Sequence, residues 1–143
     1  HLVLLPRFSI DPTGQYAVSR CPVLLSKWGG GIELLRFFVA VLNSSVAFWQ
    51  IANQAHKYSR GYSMLERNTM RHIKVPDPKD VPPAMMSRLQ HIVRDLLRQA
   101  QAPQTGPVSE PESSDYESDL DEIVTGLYDL SRDERAAVGM GGR

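Results

Sequence analysis

The sequence predicts an α+β fold: a small, mainly antiparallel sheet packed on two long helices, followed by a mobile acidic linker and two short helices at the C-terminal end. Three observations point there. Leu2 to Ile10 and Tyr16 to Ser26 are apolar, strand-like stretches on either side of Asp11-Pro12-Thr13-Gly14, where proline presets φ and glycine accepts positive φ, so a hairpin is expected. Segments 32–55 and 83–101 repeat apolar residues at helical steps. His72-Ile73-Lys74-Val75-Pro76 reads as a further short strand, halted by Pro76, Pro78, Pro82 and Pro83.

The first stretch contains Pro6, which cannot donate to a ladder and confines it to a sheet edge. Trp28-Gly29-Gly30-Gly31 then breaks the chain before a helix. The glycine spacing matches neither dinucleotide nor phosphate-loop fingerprints, so a flexible joint is expected. From Ile32 to about Ala55 a single helix is predicted on the stripe Leu35, Phe38, Leu42, Val46 and Trp49, widened by Leu34, Val41, Phe48 and Ile51. Asn43-Ser44-Ser45 interrupts it with small polar residues, marking a close-packing point or a bend. Pro83 suits a helix start, and Met85, Leu89, Ile92 and Leu96 follow with Met86, Val93 and Leu97 beside them, exposing Arg88, Arg94 and Arg98 and ending near Gln101. The organisation is then a body of 1–101, a linker of 102–118 rich in Pro, Ser and acids, and a helical tail of 119–143. In the tail, Ser118 three before Asp121 and Ser131 three before Glu134 both resemble capping boxes, and Gly139 suits the end of the second helix.

Composition bounds the function. The net charge of zero conceals a split: residues 1–102 hold thirteen Lys and Arg against six acids, and residues 103–143 hold three against ten. A polyanion-facing body with an acidic appendage has this pattern, and so do two solvated faces. The longest unbroken apolar run, Phe37 to Leu42, is six residues, well short of a membrane span. No ordered secretory signal is present, and Cys21 is the sole cysteine, which fits a reducing cytoplasm. The chain opens on His1 rather than Met, so an internal piece of a longer polypeptide is expected.

Catalytic candidates are missing. The histidines and Cys21 form no pair at metal-ligand spacing, no Gly-x-Ser-x-Gly occurs, and Asp119, Asp121 and Glu122 fit the acidic first turn of a helix better than a cation site. No catalytic or metal-binding residue is assigned. The one tract with positive functional content runs from Gln54 to Lys74. Lys57, Arg60, Arg67, Arg71 and Lys74 can neutralise phosphates. Gln54, Asn68 and the arginines can pair with base edges, and Tyr58 and Tyr62 can stack on a base. Arg7, Lys27 and Trp28 are weaker candidates from the hairpin side. A charged connecting loop has the same composition.

The run Leu35-Arg36-Phe37-Phe38-Val39-Ala40-Val41-Leu42-Asn43-Ser44-Ser45-Val46-Ala47-Phe48-Trp49 resembles the Leu-Asn-Ser helix of bacterial target-recognition domains. Val75-Pro76-Asp77-Pro78 and the tail from Asp121 to Arg135, with Leu127-Tyr128-Asp129-Leu130, are similar to the continuation and ending of those proteins. The closest group is the TaqI-like C-terminal specificity domain of adenine-specific (N6) DNA methyltransferases, including restriction-modification and phage-defence enzymes. The resemblance covers most of residues 2–139. It implies that this is the recognition part, which binds double-stranded DNA and positions it for a methylase catalytic domain supplied in cis or in trans. It also implies that S-adenosyl-L-methionine and the Asn-Pro-Pro-Tyr motif belong to that other domain; the motif does not occur in this chain. The acidic, Pro-rich segment 103–118 is longer and has a more disorder-like composition than the family tail requires. Two other readings stay open. One is half of a type I restriction specificity subunit, with helix 83–101 packed on a partner; the other is a protein-interaction module whose acidic tail binds a basic partner or folds over 54–74.

Overall fold

A computed structural model describes residues 2–3, 7–15, 23–25, 29–57, 62–101 and 115–141. In chain order its elements are β1 (Leu2–Val3), α1 (Gly31–Leu42), α2 (Ser45–Gln54), β2 (Ser63–Met64), α3 (Arg67–Arg71), α4 (Pro83–Gln101), α5 (Asp115–Leu127) and α6 (Arg132–Gly141). Among the described residues helix makes up 62% and strand 3%, so the α+β expectation is overturned: the fold is mainly helical.

The sheet shrinks to one antiparallel pairing among the described residues, with Leu2 opposite Met64 and Val3 opposite Ser63. The expected hairpin partner differs, since β1 pairs with the tract rather than with 16–26. Most of that second stretch lies outside the described residues, and Val23, Leu24 and Leu25 are irregular and exposed. The predicted strand at 72–76 does not form either. His72 keeps a right-handed helical backbone, residues 73–77 take no regular structure, and the partners of Lys74 are side-chain atoms of α2: Gln50 Nε2 donates to the Lys74 carbonyl at 3.0 Å, and the Lys74 N–H donates to Gln50 Oε1 at 2.8 Å. An apolar run becomes a strand only when another backbone lies alongside it.

Glycine is needed at the start of α1. Gly29 and Gly31 adopt φ of 69° and 59°, left-handed values that disfavour other residues, and a Cβ at Gly30 would lie 2.5 Å from the Leu34 side chain. The long helix expected over 32–55 is two helices, α1 and α2, bent by 66° at the break. Asn43, Ser44 and Ser45 build that corner. The Asn43 amide accepts from the Phe8 N–H at 3.0 Å and donates to the Phe8 carbonyl and the Val39 carbonyl, each at 2.9 Å. It thereby stands in for a strand partner to the N-terminal segment. Ser44 is the N-cap of α2; its hydroxyl accepts from the Ala47 N–H at 3.3 Å and donates to the Val41 carbonyl at 2.7 Å. The Ser45 N–H and hydroxyl donate to the two oxygens of Asp121, at 2.6 and 2.8 Å.

The bend resets the buried face. Phe37, Ala40, Val41 and Leu42 of α1 and Val46, Ala47 and Ile51 of α2 are buried, whereas Trp49, placed on the core stripe by a straight helical wheel, is 37% exposed. α4 keeps its predicted bounds and buries Leu89, Ile92 and Val93, leaving Met85 exposed. α5 adds Leu120 and Val124 to the same core, which also takes in Phe37, Ala40, Val41 and Val81. Full burial of a Leu, Ile or Val side chain is worth about 1.5–3 kcal/mol, so both tail residues are integral to the body's stability. α6 packs on α2, with Val138 buried.

The expected capping boxes divide. Ser131 and Glu134 form one in full: the Ser131 N–H donates to Glu134 Oε2 at 2.8 Å, and the Glu134 N–H donates to Ser131 Oγ at 3.3 Å. That hydrogen bonding holds the exposed Glu134 carboxyl below its ordinary pKa. Ser118 and Asp121 do not form one, because α5 already begins at Asp115 and Asp121 is committed to Ser45. Gly139 lies inside α6 rather than at its end. Residues 102–114 of the expected linker lie outside the described residues. No single helix among the described residues is long and apolar enough to cross a membrane.

Candidate nucleic-acid interface

The tract from Gln54 to Lys74 stands on a small apolar base of its own. Ile51 of α2, Ala55 at its C-cap and Leu65 are buried together, with Phe8, Met70 and Ile73 packed against them. Within α3, Thr69 is buried and Met70 half-buried, so this five-residue helix turns one side inward and leaves Arg67, Asn68 and Arg71 exposed. Arg67 and Arg71, four apart, share a face. The helix was not expected from sequence; it is too short to show apolar periodicity and its N-cap, Glu66, makes no side-chain cap bond.

The remaining predicted site residues fall as follows. Lys57 is exposed, and its backbone bridges to Ser63. Tyr62 is half-buried. Tyr58 and Arg60 lie outside the described residues, as do Lys27 and Trp28. Lys74 is exposed, its backbone pinned by Gln50 and by Tyr128, whose hydroxyl donates to the Lys74 carbonyl at 2.9 Å. Gln54, placed among the base readers, donates from Nε2 to the His72 carbonyl at 3.4 Å, so it ties the segment down. The His72 ring in turn contacts the Asn68 carbonyl at 2.8 Å. Arg7, the weaker candidate, is held by Glu117 at 3.3 Å.

The body's described arginines outside the tract are paired with acids, whereas Lys79 and, in the tail, Arg132 and Arg135 are not. Arg36 pairs with Glu33, Arg88 with Asp119 at 2.8 Å, Arg94 with Glu33 at 3.7 Å and Arg98 with Asp95 at 3.7 Å. Lys57, Arg67, Arg71 and Lys74 have no acidic partner among the described residues. All four side chains are exposed, with no carboxylate of the described residues within ion-pairing distance. Asn68 adds an amide with no side-chain partner among the described residues, suited to an adenine edge.

Gln50, Tyr128 and Asp121 are positioning residues that sequence reasoning missed. Gln50 and Gln54, four apart, are the only sequence signal, a polar stripe on an otherwise apolar helix. Among the described residues the acidic C-terminal part makes ion pairs with Arg7 and Arg88, and it meets the tract where the Tyr128 hydroxyl bonds the Lys74 carbonyl. The apolar face of α4 is likewise covered, by α1 and α5. No cluster of His, Cys, Asp and Glu among the described residues could hold a metal ion. Comparison with protein-family models, curated proteins and solved structures finds no significant match.

Proposed function

We propose that this chain binds double-stranded DNA through the 54–74 surface, as the target-recognition part of a bacterial adenine-N6 methyltransferase or restriction-modification system. The observation that carries the proposal is the set of exposed cations without a described acidic partner, Lys57, Arg67, Arg71 and Lys74, in a molecule whose other described arginines of the body are paired internally. Lysines and arginines on phosphates supply affinity and register; Asn68, Arg67 and Arg71, projecting from one short helix, supply base reading. The family resemblance carries the finer part: a catalytic domain, in cis or in trans, holds S-adenosyl-L-methionine and accepts the target adenine, in the cytoplasm. The recognition part then contributes rigid placement of the duplex, since recognition geometry fails when its support is loose.

The test uses the full chain, because Leu120 and Val124 of the tail belong to the core. Lys57, Arg67, Arg71 and Lys74 are changed together to glutamine, and duplex affinity is read by fluorescence anisotropy across a salt series. The expected result is a much weaker complex whose salt slope falls by about 0.9 for each phosphate no longer neutralised. Asn68→Ala should instead cost about 1–3 kcal/mol at one base position only. Unchanged affinity in the quadruple variant, with an unchanged circular dichroism spectrum, would refute the DNA-face assignment.

A further inference from the structure

Between the N-terminal half of α1 and the C-terminal half of α4 lies a cleft of about 240 Å3 that shares no residue with the 54–74 tract. Arg36, Arg94 and Arg98 line it together with the apolar residues Ile10, Pro12, Ile32 and Leu97. Two carboxylates face these three guanidiniums. Glu33 Oε1 contacts Arg36 and lies 3.7 Å from Arg94, and Asp95 Oδ1 lies 3.7 Å from Arg98. Asp95 is shared further, its other oxygen 3.1 Å from His91 Nε2. Three guanidiniums thus share two carboxylates there. Arg36 Nε is in addition buried without any hydrogen-bond partner. An unmet donor on a charged group is costly, and a native site that carries one is short of an acceptor.

We propose that this cleft binds a small molecule carrying one oxyanion group on a short apolar body. Arg36, Arg94 and Arg98 surround the oxyanion, and Ile10, Ile32 and Leu97 pack against the body. The planar guanidinium fork matches carboxylate and phosphate alike, so the shared chemistry is an oxyanion that accepts two parallel N–H bonds. The volume falls below the roughly 300–1,000 Å3 usual for drug-sized ligands, so the occupant is nearer a benzoate than a nucleotide. A duplex backbone is too bulky for a cleft of this size, and the apolar lining favours an organic anion over a bare one. Both points set the cleft apart from the DNA surface.

The test follows the arginine Nε–Hε resonances of the full chain, labelled with nitrogen-15. Benzoate and phenyl phosphate are the probes; inorganic phosphate, benzyl alcohol and potassium chloride at matched ionic strength are the controls. Benzoate or phenyl phosphate should move the Arg36 Nε–Hε resonance saturably at millimolar concentration, the range expected for so few contacting atoms, and the tighter of the two names the headgroup. Benzyl alcohol and potassium chloride should leave it in place. Arg98→Gln, at a mostly exposed position, should weaken the preferred probe about tenfold, the scale of one charge-assisted hydrogen bond, without lowering the thermal midpoint of the free protein. No saturable shift with either probe would overturn the proposal. Inorganic phosphate moving the resonance as far as phenyl phosphate would overturn the apolar-body part, and a shift on adding duplex DNA would return the cleft to the DNA surface.

Discussion

Gln50 grips the backbone of Lys74 at both ends, its amide donating to the carbonyl at 3.0 Å and accepting from the N–H at 2.8 Å. Gln50 is almost fully buried, whereas the Lys74 side chain is exposed. The pair therefore fixes where an outward cation leaves the surface without touching the cation itself. Tyr128 bonds the same carbonyl, which links the tail to the candidate DNA face through one backbone unit.

Gln50→Leu preserves every charge and removes this grip, together with the hydrogen bond between Gln50 and Tyr128. It strands the part-buried Lys74 N–H, so stability should fall by about 1–3 kcal/mol in urea titrations. If Lys74 works from a fixed position, duplex affinity should also fall, by roughly fivefold for about 1 kcal/mol. Full affinity in a folded Gln50→Leu protein would show that the position of Lys74 is immaterial.

Tyr128 supplies a pH dependence. Burial pushes its phenol up to about 12, partly opposed by a hydrogen bond with Gln50. The folded state then holds the proton more tightly than the unfolded chain, whose phenol titrates near 10. This contribution is fully present below pH 10 and is lost as pH rises towards 12. Urea midpoints should decline over that window in the native protein and decline less in Tyr128→Phe. Parallel curves for the two proteins would contradict the burial of the phenol.

The Ser45–Asp121 contact is the tail's polar attachment to α2. Asp121→Asn keeps the shape but offers one acceptor where two are used, and should cost about 1–2 kcal/mol. A double-mutant cycle with Ser45→Ala should return a coupling of about 0.5–3 kcal/mol. Strict additivity would mean that the Ser45–Asp121 contact adds nothing to the attachment made by Leu120, Val124, Val138 and Tyr128.

Asn43→Ala should be among the most damaging polar substitutions. It leaves the Phe8 N–H and carbonyl without their partner and removes a bond to Val39. A loss of about 1–3 kcal/mol is expected, with early hydrogen exchange at Phe8. Unchanged protection at Phe8 would place the anchor of the N-terminal segment elsewhere.

Local chemistry in the sequence determined several elements by itself. Pro83 and the Leu89, Ile92, Val93 spacing set α4; Ser131 and Glu134 set the start of α6; the small polar triplet at 43–45 marks the corner between α1 and α2. The cationic composition of 54–74 is likewise plain from the residues alone. Only the tertiary structure decided the rest, because partners far apart in sequence leave no local trace. The apolar run at 72–76 reads as a strand, but its backbone bonds go to Gln50, an outcome that no periodicity encodes. Asp121 reads as a cap for its own helix and is instead an acceptor for Ser45, seventy-six residues away. Trp49 lies off the core stripe because a 66° bend changes which side of α2 faces inward. The pairing of the body's other arginines, which leaves Lys57, Arg67, Arg71 and Lys74 without a described acidic partner, is of the same kind: charge is written in the sequence, but neutralisation depends on which acid the fold brings within about 4 Å.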